Sequence, residues 1–162
     1  MSAPSSPADL VILGGGSGGY AAALRAAELG MSVVLVEKDK VGGTCLHRGC
    51  IPTKALLHAG EVADLAREGE QFGVKTSLAG IDMDGVNSYK DGVVGRLYKG
   101  LQGLIKSKKI NYVEGEGRLA SPTSSRSRTS RRRSCWSARS AAARSATSWA
   151  AGSPVCRAPR TA

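Results

Sequence analysis

Three glycines in the pattern GxGxxG, Gly14, Gly16 and Gly19, fall directly between a short apolar run, Leu10 to Leu13, and an Ala-rich stretch, Tyr20 to Leu29, that Gly30 closes. A second apolar run, Ser32 to Val36, follows and ends on Glu37. Strand, glycine turn, helix and strand is the βαβ order, and strands that are apolar without alternation are what a parallel sheet covered on both faces requires. Each glycine has a task in that arrangement. Gly14 makes a tight turn, Gly16 lets the backbone approach a pyrophosphate, and Gly19 lets the helix pack closely on the sheet. The helix then offers unpaired N–H groups and the positive end of its dipole to the phosphates. Glu37, 23 positions beyond Gly14, is placed to accept from a ribose 2′-OH. Glycine-rich turns also arise for steric reasons alone, and the loop by itself does not separate FAD from NAD.

Two cysteines narrow the choice. Cys45 and Cys50 lie in GGTCLHRGCIPTKALLHAGEV, residues 42 to 62. In a straight helix a separation of five gives about 7.5 Å of axial rise, more than the roughly 4.4 to 6.8 Å usual between disulfide-linked Cα atoms. A bridge therefore needs a bent or partly unwound first turn, which Gly42, Gly43, Gly49 and Pro52 allow. A strained, accessible disulfide has the raised potential of a catalytic one. A helix N-terminus and Lys54, one turn on, are expected to lower a thiol pKa and stabilise the thiolate that does exchange chemistry. The alternatives are two unrelated small apolar side chains, or a zinc site. Zinc is disfavoured by a single pair at an uncharacteristic spacing with only His47 and His58 beside it. Neither histidine has an identifiable acid partner in the sequence; His47 reads as solvent-facing and His58 as a helix-surface or interface residue. An enzyme using NAD alone would leave Cys45 and Cys50 without a task.

Residues 51 to 68 read as a helix with Pro52 in its first turn, where a missing N–H costs little. Val86, Tyr89, Val93, Leu97, Leu101, Leu104 and Ile105 recur mostly every three to four residues and predict a long helix with one apolar stripe. Gly85, Gly92, Gly95, Gly100 and Gly103 oppose it. Ile110 to Val113 reads as a strand, followed by Gly115 and Gly117.

After Ser121 the composition changes. All 13 acidic residues lie in the first 120 positions, whereas residues 121 to 162 hold nine Arg and no Lys, Asp or Glu. The formal charge of +10 therefore belongs almost wholly to the tail. Residues 122 to 162 hold ten Ser and nine Ala, with Val155 the sole member of the Val, Leu and Ile set. Such a segment buries too little apolar surface to offset its ordering entropy, so disorder is expected, with weak Ala-favoured helicity near 138 to 150. Arg, Ala, Ser, Gly and Pro are also what a GC-rich gene yields out of frame. A frameshift near residue 124 is the reading, and a genuine low-complexity tail its alternative. Cys135 and Cys156 lie in this tail and receive no function.

Together, VILGGGSGGYAAALRAAELG and VVLVEKDKVGGTCLHRGCIPTKALLH resemble the N-terminal FAD-binding region of the pyridine nucleotide-disulfide oxidoreductases, in the branch of the dihydrolipoyl dehydrogenases. Glutathione and mercuric reductases share the cysteine spacing but resemble CVNxGCVP more. The similarity runs from about residue 8 to about residue 123. It implies an α/β, Rossmann-like FAD-binding domain with a parallel sheet, incomplete, over residues 9–121, between a flexible N-terminus at 1–8 and a disordered Arg/Ser/Ala-rich tail at 122–162. It implies that Gly14, Gly16 and Gly19 cradle the FAD pyrophosphate and that Glu37 binds the adenosine ribose. Thr44 and Lys54 would lie at the flavin, and the backbone near Gly117 would meet the adenine. Cys45 would be the interchange thiol and Cys50 the flavin-proximal one.

The implied activity is oxidation of protein-bound dihydrolipoamide, with electrons passing through the cysteine pair and FAD to NAD. The implied partners are the lipoyl-bearing acyltransferase component of 2-oxo acid dehydrogenase complexes and a second subunit. The family's NAD and dimerisation domains, with the His and acid pair of the latter, have no counterpart in these residues. The closing strand of the FAD domain, with its Ala-Thr-Gly turn, is missing too. A bare sheet edge, poor folding, weak FAD retention and no turnover are therefore expected of this chain alone.

Other classes fare worse. The basic tail invites a nucleic-acid reading, yet the first 120 residues lack aromatic-and-basic interleaving or a recognition-helix pattern, and no specific nucleic acid is expected. No run of 18 apolar residues suggests a membrane span, and Met1 to Asp9 lacks the charge and apolar order of a signal peptide. With a thiol pair that exchanges with a reducing pool, the expected compartment is the cytoplasm. A different flavin disulfide reductase, mercuric or glutathione reductase-like or soluble transhydrogenase-like, is the main rival.

Overall fold

The structure, a computed structural model, describes residues 8–121, 124–128 and 133–143. These divide into two compact units, the described residues within 1–43 and 101–143, and residues 44–100.

The first unit opens with β1 (Ala8–Leu13), α1 (Ser17–Glu28) and β2 (Val33–Glu37), the βαβ order that the glycine loop predicts. β1 and β2 pair in parallel from Leu10↔Val33 to Leu13↔Val36. All four valine and leucine side chains of β2 are buried, as its unbroken apolar run requires for a strand covered on both faces. Val11, Val34 and Val36 form a buried cluster with Ala8, joined by Leu13 and Val113. α1 buries Gly19, Ala23 and Ala26, a small-residue stripe at helical spacing that brings its backbone near the strands. The helix stops at Gly30, at φ 80°. There the Gly30 and Met31 N–H groups donate back to the carbonyls of Ala27 and Ala26, a Schellman closure.

β3 (Asn111–Glu114) adds in parallel beyond β2, pairing Val34↔Asn111 through Glu37↔Glu114. β4 (Glu116–Ser121), β5 (Ser124–Arg128) and β6 (Arg133–Ala143) follow as an antiparallel series. β6 runs parallel to β1, from Ala8↔Ala138 to Leu13↔Ala143, so the sheet order is β3-β2-β1-β6-β5-β4.

This corrects two expectations. Residues 124–128 and 133–143 of the tail are strands, and β1 is not left as a bare edge. Ladder hydrogen bonds join backbone to backbone, so the exposed N–H and C=O row of β1 accepts a partner of almost any composition. Weak helicity near 138 to 150 gives way to strand as far as 143. The remaining tail positions, and most of the N-terminus at 1–8, lie outside the described residues.

The second unit contains α3 (Cys50–Glu68), a 3₁₀ turn at Gly69–Phe72 and most of α4 (Met83–Ser107), with the short α2 (Gly43–His47) leading into it. The Thr76 hydroxyl donates to the Ala66 carbonyl at 2.6 Å and ties the loop after the 3₁₀ turn to α3. The long helix forms despite its five glycines, because four of them, Gly92, Gly95, Gly100 and Gly103, face open space and only lower its propensity. Its stripe differs from expectation. Leu101 and Ile105 are buried, in the first unit, while Tyr89, Leu97 and Leu104 stay exposed. α4 ends on Lys109, the one described non-glycine residue at positive φ, 55°. Ile110 N–H donates there to the Ile105 carbonyl, the same closure as at Gly30.

Candidate functional site: a glycine cradle and a thiol pair

The glycine loop is part of the first unit. Gly14 turns at φ 100° while its N–H donates to the Val36 carbonyl at 2.7 Å, so the turn is fastened to the end of β2. A Cβ at Gly19 would fall on the Gly14 carbonyl oxygen; only glycine lets α1 start this close to β1. Gly16 is the N-cap of α1 and carries no side-chain cap, and the first turn holds no acidic residue. A Cβ at Gly16 would meet no described atom within 4 Å. The first N–H groups of α1 therefore point where no side chain competes for them, with room for a group to approach the backbone. A diphosphate fits that donor set: it is anionic, needs several N–H donors and is favoured by the dipole.

Glu37 does more than the sequence suggests. Its Oε2 accepts from the Gly15 N–H at 2.6 Å, and its Oε1 from the Asp39 N–H at 2.9 Å. The carboxylate thus clamps the glycine loop to the end of β2. Each oxygen can accept a second bond, which keeps a ribose hydroxyl compatible with the site. Gly42 N–H donates to the Gly15 carbonyl at 2.7 Å, and a Cβ at Gly43 would lie 2.8 Å from Gly16 Cα. Gly15, Gly42, Gly43 and Asp39 were not singled out as parts of this cradle by motif reading; the Gly-Gly doublet before Thr44 was the available signal. Gly117 packs its Cα side against Leu13 and Val36, where a Cβ would come within 2.7 Å of Leu13 Cδ2. That contact explains the glycine and leaves its backbone for the adenine reading.

The cysteines are part of the second unit. Cys45 is in α2 and Cys50 is the first residue of α3, with the helix interrupted at Arg48 and Gly49. The break is the bent first turn that the five-residue spacing demands. Gly49 permits it: a Cβ there would lie 3.1 Å from the Thr44 carbonyl oxygen. Thr44 itself is exposed and accepts from the Arg48 N–H. Both cysteines are free thiols, Cys45 half-buried and Cys50 exposed.

The Cys45 thiol is pushed up from its ordinary pKa, first by its hydrogen bond to the Cys50 sulfur, then by desolvation and by charge on Cys50. The Cys50 backbone N–H and the Lys54 ammonium pull it down, more weakly. For Cys45 this corrects the expected lowering. The helix N-terminus and Lys54 act with the expected sign, but the neighbouring sulfur outweighs them.

His58 is exposed on α3, as expected of a helix-surface residue, but it has an acid partner that the sequence did not show, and His47 departs from its solvent-facing reading. His58 Nδ1 lies 3.1 Å from Glu61 Oε2, an exposed pair one helical turn apart. His47 is half-buried, with its ring edge-on to that of Tyr98 at a centroid distance of 5.0 Å and 76° between planes. Among the described residues no cluster of three or more His, Cys, Asp or Glu could hold a metal ion, and no helix is long and apolar enough to cross a membrane.

A βαβ unit with an open helix N-terminus and, next in the chain, two free thiols at a helix break define a class: dinucleotide-binding proteins with a dithiol centre. The family model described as pyridine nucleotide-disulphide oxidoreductase matches residues 8–134, and the chain belongs to that family. It is 51% identical to the dihydrolipoyl dehydrogenase of Bacillus subtilis over 115 residues, 71% of this chain and 24% of that protein. Dihydrolipoyl dehydrogenase 2 of Haloarcula marismortui is 51% identical over 107 residues, 66% of this chain and 22% of that protein. Leghemoglobin reductase of Vigna unguiculata is 44% identical over 117 residues, 71% of this chain and 22% of that protein. The chain thus spans about a quarter of the length of these relatives.

Proposed function

We propose that this chain is the flavin-binding, dithiol-bearing part of an enzyme that oxidises protein-bound dihydrolipoamide to lipoamide, its electrons passing through Cys45 and Cys50 to FAD and on to NAD. The observation that carries this reading is the placement of Cys45 and Cys50 on either side of a helix break, with the Cys50 side chain pushing the Cys45 thiol up. The names of the relatives support the substrate.

In the oxidised pair, a substrate thiolate attacks the Cys45 sulfur and Cys50 leaves as thiolate. The second substrate thiol then displaces Cys45 and closes the lipoyl disulfide. Two thiols of the substrate become one disulfide, and one disulfide of the protein becomes two thiols, so electrons and protons balance. Lys54 and the Cys50 backbone N–H offset negative charge on Cys45 as it departs. Bound FAD supplies a two-electron acceptor that restores the protein disulfide. Gly14, Gly16, Gly19 and the α1 N-terminus would hold its pyrophosphate, Glu37 its ribose and the Gly117 backbone its adenine, with Thr44 and Lys54 at the flavin.

The partner is the lipoyl-bearing acyltransferase of a 2-oxo acid dehydrogenase complex, the working unit is a homodimer, and the compartment is the cytoplasm. A flavin disulfide reductase with a different terminal substrate is the second reading, favoured by the relative named leghemoglobin reductase.

The test loads the chain with FAD, follows quenching of flavin fluorescence, and then adds dihydrolipoamide or glutathione to the oxidised protein. Because β6 pairs with the edge of β1 that was expected to be bare, retention of FAD is now expected, with faster reduction of the Cys45–Cys50 disulfide by dihydrolipoamide. Faster reduction by glutathione selects the second reading, and a chain that forms no such disulfide overturns both.

A further inference from the structure

The sequence assigns nothing to His47 or Tyr98, yet their contact holds the turn between the two thiols. His47 is two residues after Cys45 and three before Cys50. It ends α2, just before the Arg48–Gly49 break, where the Arg48 N–H donates to the Thr44 carbonyl at 2.9 Å. Its ring meets that of Tyr98, 51 positions away on α4, in an edge-to-face pair. Tyr98 is half-buried, and the neighbouring Leu46 is buried. Cys50, by contrast, stands at the head of the 19-residue α3, whose length alone keeps it in place.

We infer that Tyr98 is a positioning residue for the thiol pair: through the edge-to-face contact with His47 it holds α2, and with it Cys45, within bonding reach of Cys50. The inference rests on the proposed redox role of the two cysteines. Closing the disulfide requires two sulfurs to meet at about 2.05 Å with a narrow dihedral preference. Cys45 is on the weaker of the two helices, a five-residue segment that has no stability of its own. An aromatic pair of this geometry is worth enough to change a local equilibrium by about two- to tenfold. That factor enters directly into the effective concentration of one thiol at the other. The contact recorded for Tyr98 is with the His47 ring, and its effect on the thiols is read through that residue.

The experiment measures the equilibrium between the Cys45–Cys50 dithiol and disulfide in glutathione buffers. Glutathione disulfide takes the two electrons and two protons and leaves as two glutathione thiols. The full chain is used with Cys135→Ser and Cys156→Ser, and alkylation at Cys45 and Cys50 is read by peptide mass. Tyr98→Ala and His47→Asn should each lower the equilibrium constant for disulfide formation by about two- to tenfold. Tyr98→Phe, which keeps the ring, should match the parent. The double variant should lose no more than either single one, because both remove the same contact. If Tyr98→Ala fails to fold, His47→Asn and Tyr98→Phe still decide. A parent-like equilibrium constant in His47→Asn, losses that add in the double variant, or a loss in Tyr98→Phe equal to that of Tyr98→Ala overturns the inference while leaving the redox reading intact. A parent chain that forms no Cys45–Cys50 disulfide overturns both.

Discussion

Cys45 is tied to Cys50 in two ways, through the Cys50 side chain and through the Cys50 backbone N–H, the first of α3. The two interactions oppose each other in sign. The first favours a protonated Cys45 and the second an ionised one, and the sulfur prevails.

Replacing Cys50 by Ala removes the largest upward influence on Cys45 and keeps the backbone N–H and Lys54. The sign follows: a raised pKa means fewer thiolates at a given pH, so its relaxation gives more. Iodoacetamide labelling of Cys45 against pH should shift to lower pH in Cys50→Ala, and the labelling rate near pH 7.5 should rise. Lys54→Met should move the profile the other way. An unchanged profile in Cys50→Ala means that Cys50 does not control this thiol.

Glu37→Gln tests the clamp on the glycine loop. Glutamine has one acceptor oxygen where glutamate has two, and its amide NH₂ would face either the Gly15 or the Asp39 N–H. Loss of a charge-assisted bond and a donor set against a donor should cost about 1.5 to 3 kcal/mol. Urea unfolding reads the stability and flavin fluorescence the affinity. A stable variant that still binds FAD like the parent would mean that Glu37 neither orders the loop nor meets the ribose.

Much of the cradle was legible because GxGxxG encodes steric demands that leave little freedom: Gly19 must lack a Cβ because the Gly14 carbonyl occupies its place. The helix break between the cysteines was equally legible, since rise per residue and disulfide reach conflict without it. His47 against Tyr98 was not, because a contact across 51 residues leaves no local period. Nor was the sign at Cys45, which depends on how close two sulfurs lie. The strands at 124–128 and 133–143 escaped for another reason. Composition reports what a segment can bury, whereas an open strand edge offers backbone bonds to any sequence.

Gly19→Ala should be strongly damaging for a single added methyl. The added carbon collides with backbone at Gly14 rather than with a side chain that can rotate away, so α1 must move off β1. Overpacking of this kind costs about 1 to 3 kcal/mol, and the shifted helix should lose FAD. Gly18→Ala, where a Cβ meets nothing within 4 Å, is the matched control and should fold like the parent. Equal urea midpoints for the two variants would contradict the steric account.

Lys109 occupies the position at the end of α4 that Gly30 occupies after α1, at φ 55° and 80° respectively. A side chain in the left-handed region costs about 1 to 2 kcal/mol relative to an ordinary conformation. Glycine avoids that cost but has more freedom to lose on folding. Lys109→Gly should therefore raise stability by up to about 1 kcal/mol. Gly30→Ala should lower it by a similar amount. Opposite signs in paired thermal melts are the outcome that supports a shared closure.

Asp9 and Ser32 set the register of the parallel sheet where it begins. The Ser32 hydroxyl donates to Asp9 Oδ2 at 2.7 Å and accepts from the Asp9 N–H at 2.9 Å, while the Ser32 N–H donates to the same carboxylate oxygen at 2.9 Å. A slip of one residue between β1 and β2 would exchange the faces of their side chains, yet both faces of β2 are apolar and buried, so its side chains penalise slippage weakly. The clamp supplies a polar reason to prefer Leu10↔Val33. Ser32→Ala should cost about 0.5 to 1.5 kcal/mol. Asp9→Ala should cost more, because it strips two donors of their acceptor at once. Urea midpoints should fall in that order with an unchanged denaturant slope if only stability is affected. A changed slope in Asp9→Ala would instead report that the strands have re-registered.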